Sequence, residues 1–258
     1  MIDMDNSIQP KKEKISGLVI TFNEEKNIAG CIESLKCICD DIVVVDSFSQ
    51  DRTVDIARSM GATVILQKFL GDGPQRTKGV DYCLHDWIFN LDADERLEDD
   101  AIQAIKELSL DSSEVDVYEL KRHNYIGDQI TLHAGQYPDR VARLFNRKTA
   151  AFSPKQTHTK VHGKRSKNLE GHIKHFSYRD YFDLFSRQCK YANQIGSAIS
   201  PNEEISSFSP FIHGSWSFFR HYFLKKGFLA GNLGLTISIA KAMGAYLKYS
   251  IALEKSRR

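Results

Sequence analysis

Asp92 and Asp94 are separated by one residue and directly follow the apolar run Trp87-Ile88-Phe89-Asn90-Leu91. Two carboxylates with a single spacer, leaving a buried strand, can hold a hard divalent cation together with phosphate oxygens, which is how Mg2+ is usually bound. A solvated acidic loop is the bland reading of such a pair, and its position after an apolar strand is what favours a ligand site. Asp46 closes a second run, Asp41-Ile42-Val43-Val44-Val45, where a carboxylate can accept from a base N–H or a ribose hydroxyl. Ser49 or Asp51, just beyond, can instead cap the next helix. No G-x-G-x-x-G follows either run and no G-x-x-x-x-G-K-[ST] occurs, which argues against a dinucleotide site and a P-loop ATPase.

These acids need elements to carry them. Four short apolar runs, Ile15 to Ile20, Ile42 to Val45, Ala62 to Leu66 and Trp87 to Leu91, end in polar or turn residues and read as buried strands. Between them lie helical spacings: Ile28, Ile32 and Leu35 within Lys26 to Lys36, then Val54, Ala57 and Met60, then a helix over about Gln75 to Leu84. Ala101, Ile105 and Leu108 mark another after the fourth strand. That alternation predicts a doubly wound α/β sheet over residues 15–110, with mostly parallel strands covered on both faces. Ligands of such sheets bind outside the carboxyl ends of the strands. Thr21 to Glu25, Asp46 to Thr53 and Asp92 to Glu95 all fall at that edge.

Beyond residue 110 the alternation fails. Val115 to Ile126 and Arg140 to Asn146 read as antiparallel additions, followed by a stretch rich in basic residues and His, a helix near Tyr181 to Ile199, and a linker around Ser200 to Pro210. The expected divisions are a polar tail over 1–14, an α/β half over 15–110, a second half over 111–200, and a helical region over 201–258.

With 258 residues, 41% hydrophobic and 26% charged, the composition suits a globular protein and excludes collagen, low-complexity disorder and a disulfide miniprotein. The net charge of +2 conceals a polarity: residues 1–100 carry −9, 101–210 carry +4 and 211–258 carry +7. The acidic end suits metal binding and the basic end an anionic surface. The five cysteines are odd in number and read as reduced cytosolic thiols, since no second Cys pair or spaced His pair completes a metal site with Cys37 and Cys39. Met1 to Lys14 is polar with no apolar core of a secretion signal, so a cytoplasmic location is expected.

Taken together, Ile20-Thr21-Phe22-Asn23-Glu24-Glu25, the D-S-x-S-x-D-x-T run from Asp46 to Thr53, Gly71 to Arg76 and Leu91-Asp92-Ala93-Asp94-Glu95 resemble the nucleotide-sugar domain of family 2 glycosyltransferases, which have the GT-A fold. Gly135-Gln136-Tyr137-Pro138-Asp139, Arg143-Leu144-Phe145, His175 to Tyr178 and Tyr222 to Phe228 extend the similarity to lipopolysaccharide core transferases of the β-1,4-glucosyltransferase type. The resemblance implies inverting transfer of a hexose, glucose above others, from a UDP-sugar to the lipopolysaccharide inner core. It implies a site in which Thr21, Asn23 and Glu24 border the nucleotide, Asp46 meets the uracil, and Arg76 lies near the base or diphosphate. Asp92 faces the ribose and diphosphate, and Asp94, with Asp92, ligates Mg2+ or Mn2+.

For the base that takes the acceptor proton, the family often shows a His-Glu pair after the R-L-F strand. Here the matching position is His158-Thr159 or His162-Gly163, and the Glu is missing. Asp139 is the expected base and His158 the next candidate; binding of acceptor alone is the alternative role for both. Asp139 also reads as a Pro-Asp turn residue bonding its own backbone, and His175 as a packed core histidine.

Phe211 to Arg258 interleaves Trp216, Phe218, Phe219, Tyr222, Phe223 and Phe228 with Arg220, His221, Lys225 and Lys226. Aromatics with Lys and Arg and almost no acid predict a segment lying in a bilayer interface, peripheral on the inner face of the cytoplasmic membrane. Gly227 to Ile251 is apolar enough to raise spanning, but Lys241, Lys248 and Asn232 favour a surface or protein-packed helix. A helical hairpin capping the α/β domain is the plain alternative. No nucleic-acid motif is recognisable. Ala230 stands where relatives commonly have Asp, which bears on acceptor binding. Rival functions are a polyprenyl-phosphate sugar synthase, which shares the donor half, and a catalytically silent nucleotide-sugar-binding protein, motivated by the absent Glu.

Overall fold

The computed structural model describes residues 13–111, 113–154, 159–200 and 205–256. Its elements in order are β1 (Ile15–Thr21), α1 (Ile28–Lys36), β2 (Asp41–Asp46), α2 (Thr53–Ser59), β3 (Thr63–Leu66), α3 (Asp72–Val80), β4 (Trp87–Asp92), β5 (Glu95–Leu97) and α4 (Asp99–Glu107). There follow β6 (Val117–Ile126), β7 (Gln129–Ile130), β8 (Asp139–Asn146), β9 (Ala151–Phe152), β10 (Val161–His162) and β11 (Ser166–Tyr178). The chain ends in α5 (Tyr181–Ala198), α6 (Ser209–Phe219), a π turn (Arg220–Leu224), a 3-10 turn (Gly227–Ala230) and α7 (Gly231–Ser256).

The chain divides into two compact units, one of residues 1–120 and 140–173, the other of 121–139 and 174–258. This division does not follow the sequence boundaries, because β8 and the first part of β11 complete the sheet of the first unit, whereas α5 joins the C-terminal helices. In the sheet the order is β3-β2-β1-β4-β8-β6-β11-β5, with β7 paired to β6. β2, β1, β4 and β3 form the expected parallel block, and β8 adds to β4 antiparallel. β1 is central because its residues are apolar on both faces; Leu18 and Val19 are fully buried, as are Phe89 and Leu91 of β4. Each such side chain contributes on the order of 1.5–3 kcal/mol.

α3 begins three residues before the expected start. Pro74 falls in its first turn, where the missing N–H has no partner to lose. β11 was not expected: only Leu169 and Ile173 carry its apolar face across 13 residues, too sparse for an apolar run. β5 was missed for a related reason, since its inward position holds Glu95.

The second unit has its own apolar cluster, Ile126, Ala134, Leu184, Ile237 and Ala240. Within it α7 packs against both α5 and α6. A Cβ on Gly196 of α5 would come within 2.5 Å of the Lys248 carbonyl of α7, so the absent side chain permits this contact. The stretch Gly227–Ser256 is long enough to cross a membrane, and an 18-residue window within it has a mean hydropathy of 1.2, with 22% of that window buried.

Candidate functional site

The parallel register sets the first unit's edge. Thr21 pairs with Asp46 and Ile20 with Asp92, so the two acids leave the sheet on either side of β1 at nearly one level. Two strand spacings place their Cα atoms on the order of 10 Å apart. Thr21 lies between them, buried, and its Oγ1 has no hydrogen-bond partner. An orphaned buried hydroxyl in such a place is uncommon and marks a position that a ligand can satisfy.

The loops after β1 and β2 are stapled together. Asn23, with φ of 55°, receives Gln50 N on Oδ1 at 2.8 Å and donates its own N to Ser49 Oγ at 2.8 Å. Glu24 N donates to Thr53 Oγ1, and the Glu24 carboxylate accepts from Asn27 Nδ2. Asp46 is wholly buried and accepts from Ser49 N and Oγ, while Asp51, one residue before the N-cap Arg52 of α2, accepts from Thr53 N at 3.0 Å. Phe22 and Phe48 stand exposed in the same two loops.

Asp92 sits in a fork of arginines. Arg76 Nη2 donates to its Oδ1 at 2.5 Å, and Arg143 Nη2 to its Oδ2 at 2.9 Å. Arg76 Nη1 also donates to Asn90 Oδ1, and Arg143 pairs with Glu95 at 2.5 Å. Glu95 is fully buried and its Oε2 accepts from Asp92 N. Burial works against the Arg143 charge, but Glu95 and Asp92 more than offset it, so the guanidinium is held firmly protonated. Its Nε is buried without a partner. Cys31, whose thiol donates to Asp92 O, is pushed well up by burial and then by the charges of Glu95, Asp92 and Asp94, and stays neutral.

Asp94 lies half-buried in the turn between β4 and β5. Among the described residues no group of three His, Cys, Asp or Glu gathers to hold an ion. The available donors are carboxylate oxygens of Asp94 and Asp92, the latter engaged by guanidinium. That set does not fit a resident structural metal. It does fit a hard cation that takes most of its shell from phosphate oxygens and water.

Asp139 belongs to the second unit. Its Oδ2 accepts from Arg122 Nε at 2.9 Å, Arg122 Nη2 at 2.6 Å and Asn124 Nδ2 at 3.1 Å, and Oδ1 takes none of these bonds. The Pro-Asp turn reading thus gives way to a carboxylate fixed by side chains. Asn124 Oδ1 accepts in turn from His175 Nδ1 at 2.7 Å and Ser177 Oγ at 3.0 Å. His175 is therefore part of a polar network rather than a packed apolar core. His158 lies outside the described residues, and His162 is exposed on β10.

Thr21, Asp46, Arg76 and Asp92 are thus gathered on one edge, with Asn23 and Glu24 in its stapled loops. Sequence reasoning gave no role to Glu95, Arg122 and Asn124, and knew Arg143 only within a motif. A charged residue at an inward strand position is the one signal that could have found Glu95 and Arg143.

A family model described as glycosyl transferase family 2 matches residues 16–176. An uncharacterized glycosyltransferase of Rickettsia conorii is 31% identical over 268 residues, spanning 95% of this chain and 91% of its own. The lipopolysaccharide core biosynthesis glycosyltransferase LpsC of Rhizobium meliloti is 27% identical, spanning 92% and 90%. The crystal structure of S. aureus TarS 1-349 in complex with UDP matches with a TM-score of 0.44 and 14% identity, covering 95% of this chain and 90% of that one.

Proposed function

Because the chain belongs to glycosyl transferase family 2, we propose that it moves a hexose, glucose in the first instance, from a UDP-sugar to the inner core of lipopolysaccharide with inversion at the anomeric carbon. The observation that carries the donor half is the register that pairs Asp46 with Thr21 and Asp92 with Ile20, setting both acids on either side of β1 at the carboxyl edge of the sheet. The core acceptor is supported by the end-to-end likeness to LpsC, a lipopolysaccharide core enzyme by name.

In this reading Thr21 and Asp46 receive the uracil and ribose, where the orphaned Thr21 hydroxyl gains a partner. The exposed rings of Phe22 and Phe48 are surfaces of the kind bases stack on. Arg76 and Arg143 fix Asp92 beside the diphosphate. Their two charges are already cancelled by Asp92 and Glu95. Something further must offset the leaving group, and Asp94, with Asp92, is the residue set that would hold Mg2+ or Mn2+. Such an ion stabilises the negative charge that develops on the diphosphate.

In the transfer step the acceptor hydroxyl oxygen bonds to the anomeric carbon as the bond to UDP breaks. The hydroxyl proton passes to Asp139, whose Oδ2 is oriented by Arg122 and Asn124. His158 is the second candidate for this role.

A position at the inner face of the cytoplasmic membrane is supported by one further observation: Phe208, Phe211, Ile212, Trp216, Phe219 and Phe223 are exposed along and beyond α6 at helical spacing, beside Arg220, Lys225 and Lys226.

The test is turnover of UDP-glucose with Mn2+ and a core heptose oligosaccharide as acceptor. Transfer to the oligosaccharide is expected. Transfer to polyprenyl phosphate alone would assign the sugar-lipid synthase instead, and UDP binding without any turnover would assign a silent binder.

A further inference from the structure

The segment after α6 gathers cations with no acid opposite them. Arg220 and His221 lie on the π turn, Lys225 and Lys226 directly after it, and Lys241 on α7. From residue 205 to 256 the sole acidic residue is Glu254. Among the described residues none of these five side chains makes an ion pair.

They are also close to one another: Gly227, just after the π turn, packs on α7, where a Cβ would fall 2.8 Å from the His221 carbonyl and 3.0 Å from Ser238 Oγ, three residues before Lys241. Burial, together with the positive charges of Lys225, Lys241 and Arg220, holds His221 below its usual range. Burial and the Lys225 charge do the same to Lys241. His221 spends Nδ1 on the Ser217 carbonyl at 2.8 Å, which leaves Nε2 as the nitrogen able to meet a ligand.

This cluster is built onto the turn that leads to Asp139. Ala134 N donates to the Lys225 carbonyl at 3.0 Å. Gly135 has φ of +75°, and a Cβ there would fall 2.5 Å from Lys225 Nζ, so the ammonium rests against the glycine backbone. The π turn that presents Lys225 is closed by Lys225 N donating to Arg220 O at 2.8 Å, and Lys226 follows in the left-handed region with φ of 54°. A π turn and a left-handed non-glycine residue are features that cluster at functional sites.

Like charges held together in partly buried surroundings are unfavourable until an anion joins them. We propose that His221, Lys225 and Lys241, on the Gly135 turn, form a binding site for a phosphate or carboxylate group carried by the glycosyl acceptor. Its assignment to the acceptor rests on the transfer reading above; the anion site itself does not. The turn held by Lys225 lies four residues before Asp139, so an anchored anion bears on the segment that carries the expected base.

The test uses the full chain and follows the His221 imidazole by nuclear magnetic resonance, assigned with His221→Gln. Inorganic phosphate, against sodium chloride at equal ionic strength, is expected to raise the His221 titration midpoint by about one pH unit and to saturate. Lys225→Gln and Lys241→Met should each abolish that shift while UDP binding is unchanged, which shows that the variants are folded. Vesicles of phosphatidylcholine with phosphatidylglycerol form the second arm. A shift with soluble phosphate and not with vesicles supports a group borne by the acceptor, and a shift with vesicles alone overturns that assignment in favour of a lipid headgroup. The same response to chloride as to phosphate, or none to either probe, overturns the site. A phosphate shift in a protein that binds no UDP supports the anion site and removes the transfer reading alone.

Discussion

Replacing Arg143 by methionine would leave Glu95, a carboxylate with no solvent exposure, without its guanidinium. Removing one partner of a buried pair costs about 3–5 kcal/mol, because the remaining charge is uncompensated. Urea unfolding of Arg143→Met should show a loss of that size, and Arg143→Met with Glu95→Leu should recover part of it; a wild-type midpoint for the single variant would mean the fork is ornamental. Asp94 is a different kind of residue, one expected to act in the transition state. A unit charge pair at 4 Å is worth about 4 kcal/mol at an effective dielectric near 20. Asp94→Asn should therefore lower kcat/KM for UDP-glucose by about a thousandfold with little change in stability. The acids at strand ends were legible in the sequence because an apolar run stops on them. The groups that hold them were not: Arg143 reaches Asp92 from 51 residues away, and Asn124 is hidden within a strand it shares with apolar neighbours.

Among the elements, α6 is unusual in turning its aromatic side outward. Phe211, Trp216 and Phe219 are each more than 40% exposed. Trp216→Ser with Phe219→Ser should weaken binding to phosphatidylglycerol-containing vesicles by at least about tenfold, since each ring forfeits a kilocalorie or more of apolar transfer. Sedimentation with vesicles checks this, and UDP affinity should stay as in the wild type. Unchanged vesicle binding would remove the membrane role of α6 and leave the helical hairpin as a plain structural element. The parallel block from β1 to β4 was legible because each strand is buried on both faces and reads as a continuous apolar run. β11 was not, because its apolar face rests on Leu169 and Ile173 with only Gly171 between them on that face, and α3 begins earlier than its apolar spacing indicates, with a proline that the first helical turn tolerates.

At the scale of the whole molecule, folding also binds charge. The Arg165 guanidinium and the backbone N–H groups of Lys164 and Arg165 hold Asp116 well below the usual carboxylate range. The stability gained from its ionised form is complete above its unfolded value near 3.9 and is lost as pH falls from there toward the folded value. Urea midpoints should accordingly be flat above about pH 5 and decline below about pH 4. Asp116→Asn should begin lower and decline less across that acid window; an identical decline would show that other carboxylates govern it. The polarity of charge, acidic before residue 100 and basic after 210, was open to counting alone, whereas the division of 111–200 between two units depended on strand pairings that no local pattern reveals.

The proposed transfer depends on where the nucleotide sits. A crystal structure of the full chain grown with UDP and Mn2+ is expected to show the uracil against Asp46 and Thr21, and the diphosphate between the arginine fork and a cation on Asp94. Nucleotide density elsewhere on the molecule, or a diphosphate with no contact to Asp92 or Asp94, would contradict it.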